Sequence, residues 1–293
     1  MRVHLVDGTY ELFRQHYSHR PPHAGPDGRD LKATVGVVQS LLGLLADKDE
    51  AVTHLAVAFD NPIVSFRNQL FEGYKTDAGI DPALRGQFDD VERAVAALGV
   101  VVWSMRDFEA DDALATAAVR FAKDPRVTQV RVMTPDKDLA QVLEGERVVQ
   151  VDRMRQKLIT EASVWAEKKL RPKSVPDYLA LVGDDADGIP GLEGWGAKST
   201  ADVLERYGRL EDIPDQVAAW AVKPRGAEKL AASLARSRAD ALLYRTLATL
   251  RLDAPLPEPL EALEWKGAPK ERWQAWCEAV DARSLLERPK RFC

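Results

Sequence analysis

Acidic side chains occur at five separate places in this sequence, each where one predicted element ends. Asp7 and Asp60 each follow a short apolar run, and the other acids cluster within residues 109–112, 136–138 and 184–187. The candidate metal ligands are Asp7, Asp60, Glu109, Asp111, Asp112, Asp136, Asp138, Asp184 and Asp187. Each cluster alone is also compatible with a solvated turn, or with acids that favour a helix N-terminus. Their recurrence at five element ends favours one shared site.

The candidate ligands are all carboxylates, without histidine or cysteine. Hard oxygen ligands suit Mg²⁺ or Mn²⁺ rather than Zn²⁺. Because Mg²⁺ keeps several waters and takes few carboxylates per ion, this many acids predict at least two ions. Two such ions about 4 Å apart can clamp the attacking and leaving oxygens of a phosphodiester. The pattern therefore predicts metal-dependent phosphodiester hydrolysis.

A glycine-rich segment at residues 191–198 follows the last acidic cluster. It places Gly191, Gly194, Gly196 and Lys198 in a predicted hairpin that runs into a helix. Glycines let the backbone come close to a phosphate, and a helix N-terminus offers free N–H groups. The segment is not a nucleotide P-loop, because no strand precedes it and its glycine spacing differs. The hairpin is therefore a candidate phosphate contact, with a tight turn between helices as the alternative interpretation.

The first half of the chain must position these acids. Apolar, β-branched runs predict strands at residues 3–6, 55–59, 100–103, 130–133 and 148–151, and helical periodicity lies between them at residues 33–46, 87–98 and 111–122. Strands that alternate with helices predict an α/β fold with a parallel sheet covered on both faces. Ligands bind beyond the carboxyl ends of strands in such sheets, which is where Asp7, Asp60 and Asp136 fall. For Glu109 and Asp111 to meet one metal, the third helix must begin at about Glu109.

The second half of the chain is predicted to be helical. Helical periodicity occupies residues 163–170, 176–182, 198–207 and 225–250, and a proline-rich stretch at 254–259 precedes a short helix at 270–280. The sequence thus predicts an α/β domain at residues 1–161 and a helical subdomain at residues 162–293.

Composition excludes several other classes of protein. With only Cys277 and Cys293, the 293-residue chain can form neither a disulfide framework nor a cysteine zinc site, and its longest apolar-rich run is too short for a membrane span. A cytoplasmic location without a membrane role is expected. Setting the nine candidate ligands aside changes the net charge from −5 to +4, so the charge does not exclude a nucleic-acid partner.

Several motifs in this order resemble the 5′ nuclease family. They are VDGT followed by Phe13 and Arg14, VAFD ending at Asp60, SFR, GYK ending at Lys75, FEADD, TPDKDLAQ, GDDAD and GLEGWGAKSTADVL. The family includes the 5′-3′ exonuclease domain of bacterial DNA polymerase I, phage 5′ nucleases and flap endonucleases. The resemblance covers nearly the whole chain. We therefore expect the chain to be a stand-alone member of this family.

The resemblance implies a PIN-like α/β domain, a mobile arch at about residues 64–93 and a helix-hairpin-helix-like subdomain that grips duplex DNA, with a K⁺ expected at the hairpin. Asp7, Asp60, Glu109 and Asp111 would serve a first metal, and the other five acids would serve a second. Lys75 and Arg14 would hold the scissile phosphate or the 5′ end. A monomer is expected. The reaction would be hydrolysis of DNA near 5′ ends or junctions between single strand and duplex.

The sequence also departs from the family pattern. Ala78 stands where the family usually has Arg, and residues 64–93 carry four basic against six acidic side chains, a poor funnel for a single strand. One alternative is therefore a structure-specific DNA-binding protein with weak or no cleavage. A PIN-type ribonuclease is another, although it would leave the hairpin unused. A third alternative is a phosphotransferase of the haloacid dehalogenase type. It is disfavoured, because its mechanism needs a second Asp two residues after Asp7 and this chain has Thr9 there.

Overall fold

The computed structural model describes residues 1–293 and is built around one six-stranded sheet in the order β3-β2-β1-β4-β5-β6. The strands are β1 (Arg2–Asp7), β2 (His54–Asp60), β3 (Val101–Met105), β4 (Gln129–Met133), β5 (Val148–Asp152) and β6 (Lys157–Ile159). The first five run parallel, and β6 pairs antiparallel with β5. All five predicted strands are present. The short β6 was missed because its three residues, two of them exposed, are too few to show a strand pattern.

Twelve helices surround the sheet and form the second half of the chain. They are α1 (Gly8–His16), α2 (Lys32–Ala46), α3 (Arg67–Leu70), α4 (Pro82–Arg85), α5 (Phe88–Ala97), α6 (Ala110–Ala122), α7 (Glu161–Lys168), α8 (Val175–Val182), α9 (Ala197–Tyr207), α10 (Ala227–Arg236), α11 (Arg238–Ala248) and α12 (Lys270–Ala279). The predicted helix at 225–250 is two helices, because the chain leaves helical geometry at Ser237, with φ −117° and ψ 27°. No helix is long and apolar enough to cross a membrane.

Each face of the sheet is covered by helices. One apolar core includes residues of α1, α2 and α5, and the core on the other face is built around α6. A third core joins α7 to α11 into a helical unit. This arrangement confirms the predicted parallel α/β fold with a separate helical part.

The C-terminal residues pack on the α/β domain and not within the helical unit. Trp273 of α12 is fully buried in the same core as α2 and α5, and Trp265 donates from Nε1 to the Leu98 carbonyl at 2.9 Å. Leu256, Leu260 and neighbouring residues cover the α6 face. The predicted division into residues 1–161 and 162–293 stays a prediction, and in this structure the residues from about 250 onward pack against the cores of the sheet. Helical periodicity shows which face of a helix is apolar and not which partner buries that face.

Residues 64–93, the predicted arch, hold α3, an irregular turn and α4. Tyr74 is 3% exposed and Leu84 is fully buried, and the Lys75 backbone N–H donates to the Asp187 carbonyl at 3.1 Å. Asp81 lies 3.2 Å from His16 at the end of α1. The segment thereby brings Lys75 toward the acidic side chains.

Candidate metal centre

The parallel register of the central strands brings the first acids together. Asp7 ends β1 and Asp60 ends the adjacent β2, with Asp7 in register with Ala58. Asp7 also caps α1, since its Oδ1 accepts from the Tyr10 N–H at 2.8 Å, and Thr134 beyond β4 donates to its Oδ2 at 3.0 Å. The Asp60 N–H donates to Thr9 Oγ1 at 2.8 Å. The acids at these strand ends therefore form one group, as predicted from the alternation of strands and helices.

A second group of acids comes from the two loops predicted after β4 and α8. One carboxylate oxygen from each of Asp138, Asp184 and Asp187 lies within 4.8 Å of the others. The turn that carries Asp184 is closed by two backbone hydrogen bonds of 2.8 Å with Ile189. Gly188 is required in this turn, because its φ is +72° and a Cβ there would lie 2.1 Å from the Gly73 carbonyl oxygen.

Asp136 joins the two groups electrostatically. Burial, and then the charges of Asp60 and Asp136, raise the pKa of Asp7 to about 7. Burial and the charges of Asp136 and Asp7 raise the pKa of Asp111 well above its ordinary value. Burial and Asp136 likewise raise the pKa of Asp138 to about 8. We call these seven acids the carboxylate cluster: Asp7, Asp60, Asp111, Asp136, Asp138, Asp184 and Asp187.

The carboxylate cluster fits divalent cations with oxygen ligands. Burial, and then the charge of the neighbouring Glu109, raise the pKa of Asp60 to about 6 although the charge of Lys75 lowers it. Asp138 Oδ1 is buried without a hydrogen-bond partner, so a ligand atom is available. With neither histidine nor cysteine among the donors, the chemistry suits Mg²⁺ or Mn²⁺.

Glu109 lies beside the carboxylate cluster and is held by its own partners. Its Oε1 accepts from Ser65 Oγ at 2.7 Å and lies 3.2 Å from Arg67 Nη1. Its Oε2 lies 3.0 Å from Lys75 Nζ, which is also 2.9 Å from Asp187 Oδ1. Although burial opposes it, the charges of Lys75 and Arg67 hold the pKa of Glu109 below its ordinary value. Lys75 is thereby placed at the cluster, as the resemblance implied.

Asp112 is not brought to the carboxylate cluster. It is fully buried, and its two oxygens accept from Arg67 Nη1 and Nη2, each at 2.8 Å. Its Oδ2 also accepts from the Glu109 N–H at 3.0 Å, so it caps the helix that begins at Ala110. The helix start agrees with the prediction, whereas the assignment of Asp112 as a metal ligand stays a prediction. Both of its oxygens are occupied by protein donors.

Arg14 is also kept from the carboxylate cluster. Its Nη2 lies 2.5 Å from Glu11 Oε2 and 3.3 Å from Ser40 Oγ, and its Nη1 contacts Met154 Sδ. It therefore faces a groove beside β5 rather than the cluster. Arg14 stands near the end of α1, two turns and about 10 Å along the helix from the Asp7 cap, which places it away from the strand ends.

Three further residues, which the sequence analysis did not select, contact the site. Lys137 Nζ lies 2.5 Å from Asp184 Oδ2, and the Tyr74 hydroxyl lies 3.3 Å from Glu109 Oε2. Arg67 fixes Glu109 and Asp112 and donates from Nε to the Leu247 carbonyl at 2.7 Å. Lys137 was recognisable because it stands between two acids, whereas the partners of Arg67 are distant in sequence.

The predicted hairpin joins the turn of Asp184 to α9. Gly191 has φ +69°, and a Cβ there would lie 2.5 Å from the Gly183 nitrogen, so its role is to pack against that turn. Gly194 and Gly196 are exposed, and Lys198 is exposed in the first turn of α9. Trp195 is buried and donates to the Leu230 carbonyl at 3.2 Å. The outer face of the hairpin is therefore open, with one cation beside free helix N–H groups.

The raised pKa values predict a pH-dependent stability that divalent ions change. The folded-state pKa values of Asp7, about 7, and Asp138, about 8, lie above the unfolded value. Stability from these carboxyls is therefore full below about pH 4 and is lost as the pH rises toward 8. Ions must displace these protons, so saturating Mn²⁺ should raise the Tm by about 5–10 °C at pH 8 and by much less at pH 5.5. Differential scanning fluorimetry in EDTA and in Mn²⁺ measures this, and an equal rise at both pH values would contradict it.

Comparison with known proteins agrees with the fold. Residues 2–169 match the N-terminal resolvase-like domain of 5′-3′ exonucleases, and residues 170–271 match the C-terminal SAM fold of 5′-3′ exonucleases. These two matches define the class of protein as a nuclease. The chain belongs to the 5′-3′ exonuclease family.

Individual relatives are consistent with this assignment. The chain is 31% identical over 212 residues to a 5′-3′ exonuclease of Aquifex aeolicus, covering 72% of this chain and 71% of the relative. It is 33% identical to the thermostable DNA polymerase I of Thermus aquaticus, covering 97% of this chain but 32% of the polymerase. The bacteriophage T5 D15 flap endonuclease, solved with DNA and metal ions, has the same fold at 19% identity and a TM-score of 0.63, with 98% of this chain and 100% of that chain covered.

Proposed function

We propose that this protein is an Mg²⁺- or Mn²⁺-dependent 5′-3′ exonuclease and flap endonuclease that hydrolyses DNA near 5′ ends or at junctions between single strand and duplex. The carboxylate cluster at the strand ends, with Lys75 beside it, is the observation that carries the proposal. A pair of divalent ions held there would supply an activated water and stabilise charge on the phosphodiester. The match covers 71% of the Aquifex exonuclease but only 32% of the Thermus polymerase, so the relatives support the nuclease activity rather than any further activity.

The side chains around the cluster have separable tasks in this proposal. Lys75 is held by Glu109 and Asp187, so its ammonium is positioned to bind a phosphate oxygen that approaches the carboxylates. Glu109 is in turn fixed by Ser65 and Arg67, which keeps Lys75 charged and oriented. Asp136 is shared by both groups of acids, so we propose that it links the two ion positions.

Duplex DNA would contact the outer face of the hairpin at residues 191–198. A Cβ added at Gly194 would have no neighbouring atom closer than 3.8 Å, so a phosphate backbone can approach this position. Lys198 and the first N–H groups of α9 supply the positive end. The same hairpin would also hold a K⁺. A monomer is sufficient for this arrangement, since the chain carries both the cluster and the hairpin.

Cleavage of a 5′-labelled DNA flap tests the proposal. Matched flap, nicked duplex, single-stranded DNA and single-stranded RNA are compared in Mg²⁺, Mn²⁺, Ca²⁺ and EDTA at low and moderate salt. We expect cuts at the junction in Mg²⁺ and Mn²⁺ that EDTA abolishes. Tight binding without cleavage in every metal would establish the DNA-binding alternative, and Ala78→Arg would then be the first change to make. Preferential cleavage of the RNA would establish the ribonuclease alternative.

The hairpin contact predicts a change in the salt dependence of DNA binding. Lys198→Ala should weaken duplex binding in Ca²⁺ several-fold and reduce the slope of log K against log salt by about one, since one phosphate contact is lost. Arg206, exposed at the other end of α9, provides the matched control. Fluorescence anisotropy over a salt series measures both variants. Equal slopes for Lys198→Ala and Arg206→Ala would remove the hairpin from the proposed interface.

A further inference from the structure

A cavity of about 340 Å³ lies between the β5 and β6 edge of the sheet and helices α7 and α8. This volume is at the lower end of the range for small-molecule sites. Lys137 is one of its lining residues and also lies 2.5 Å from Asp184, so the cavity adjoins the carboxylate cluster. We call it the seam cavity. Nothing in the proposed cleavage reaction uses it.

The interior of the seam cavity suits a flat aromatic ring. Ile159, Val164 and Leu179 provide apolar wall, and the half-buried Tyr178 contributes an aromatic ring. Gln150 also lines the cavity, and its Nε2 donates to the Asp136 carbonyl at 2.6 Å. Its amide oxygen is therefore left to accept a hydrogen bond. An apolar slot with one acceptor matches a nucleobase that carries an exocyclic amino group.

The charge around the seam cavity favours an anion. Three cations on its lining are already paired. Lys137 is paired with Asp184, Arg155 lies 3.0 Å from Asp152 and Lys157 lies 2.6 Å from Glu167. Lys168 also lines the cavity and takes part in no ion pair. An unpaired ammonium at an apolar slot is the arrangement that a phosphate monoester would neutralise.

We propose that the seam cavity binds a nucleotide, with an amino-bearing base against Tyr178 and Gln150 and the phosphate at Lys168. The choice of a nucleotide over other aromatic anions rests on the proposed function, because hydrolysis of DNA from a 5′ end releases nucleoside 5′-monophosphates beside Lys137. The nucleotide is either that released product or the terminal residue of an uncut 5′ strand. Both present a base and a phosphate to the cavity.

Binding is measured on the 293-residue protein in EDTA, where no cleavage occurs. Isothermal titration calorimetry compares dAMP, dTMP, inorganic phosphate and a 5′-phosphorylated single-stranded oligo(dA). Ile159→Trp fills the cavity and Lys168→Glu reverses its free charge. Lys169→Glu is the matched control, because Lys169 lies 5.6 Å from the Trp165 ring and does not line the cavity. The Tm of each variant confirms that it is folded.

We expect saturable dAMP binding that weakens about tenfold or more in Ile159→Trp and Lys168→Glu and less than about twofold in Lys169→Glu. Since dTMP lacks an exocyclic amino group, it should bind about fivefold more weakly than dAMP. If only oligo(dA) shows this sensitivity, the cavity takes the strand end. The inference is overturned if no ligand shows saturable binding or if neither cavity variant weakens binding. It is also overturned if inorganic phosphate binds as tightly as dAMP.

Flap cleavage by the same preparations separates this inference from the proposed function. Nucleotide binding with the expected sensitivity, in a protein that cuts no flap in Mg²⁺ or Mn²⁺, would retain the site and reject the nuclease reaction. Flap cleavage by a wild-type protein that binds neither nucleotide nor oligonucleotide in the seam cavity would retain the nuclease reaction and reject the site.

Discussion

Asp111→Asn is expected to reduce Mg²⁺-dependent flap cleavage at least about 10³-fold, because loss of a shared carboxylate removes several kcal/mol of metal-derived stabilisation. The half-buried side chain faces the cluster, where desolvation and the charges of Asp136 and Asp7 raise its pKa well above the ordinary value. Asn has nearly the same shape but cannot carry the charge that holds a divalent ion. Single-turnover cleavage of the labelled flap measures the loss.

The same substitution should stabilise the metal-free protein. At pH 8 the folded chain must keep Asp111 either protonated or charged beside other carboxylates, whereas the unfolded chain ionises it freely. Asn removes this cost, so the Tm in EDTA should rise while the Tm increase given by Mn²⁺ shrinks. Asp185→Asn is the control, since Asp185 is exposed in the neighbouring loop and outside the cluster. Cleavage within tenfold of wild type in Asp111→Asn would refute the role of this carboxylate.

The carboxylate cluster was predictable as far as topology determines it. Alternating strands and helices predict a parallel sheet, and parallel strands end at one edge, so Asp7, Asp60 and Asp136 had to meet there. The loop acids Asp138 and Asp187 followed from the same reasoning, because each belongs to an acidic cluster in the loop after an apolar strand or helix. These positions depend on the order of elements, which the sequence pattern carries.

Side-chain direction was not predictable in the same way. Asp111 and Asp112 are adjacent and chemically identical, yet one faces the cluster and the other faces Arg67. Their choice depends on a guanidinium 45 residues earlier in the chain, whose position is set by contacts with the end of α11. Arg14 illustrates the same limit, because Glu11 and Ser40 hold it in a neighbouring groove. Local spacing contains no information on such distant partners.

Asp112→Asn is expected to lower the free energy of unfolding by about 3–5 kcal/mol, because it removes the carboxylate that pairs with both Nη atoms of the buried Arg67 and leaves Glu109 as its remaining counter-charge. Arg67 is 1% exposed and Asp112 is fully buried, and two hydrogen bonds of 2.8 Å join them. Asp112 also accepts from the backbone N–H groups of Glu109 and Arg251, so an amide –NH₂ would face donors. The expected fall in Tm is on the order of 10 °C.

The Tm increase that Mn²⁺ gives distinguishes the two roles considered for Asp112, which are anchoring Arg67 and binding a metal ion. If it only anchors Arg67, Asp112→Asn should keep the Tm increase that Mn²⁺ gives, measured from its lower baseline, whereas Asp111→Asn should lose most of it. Asp253→Asn, which breaks the exposed pair with Arg251, should leave both the baseline and the increase unchanged. The double variant Arg67→Met with Asp112→Leu should recover part of the lost stability, since it removes both buried charges together. Loss of the Mn²⁺ response in a folded Asp112→Asn protein, without loss of stability, would return Asp112 to the metal ligands.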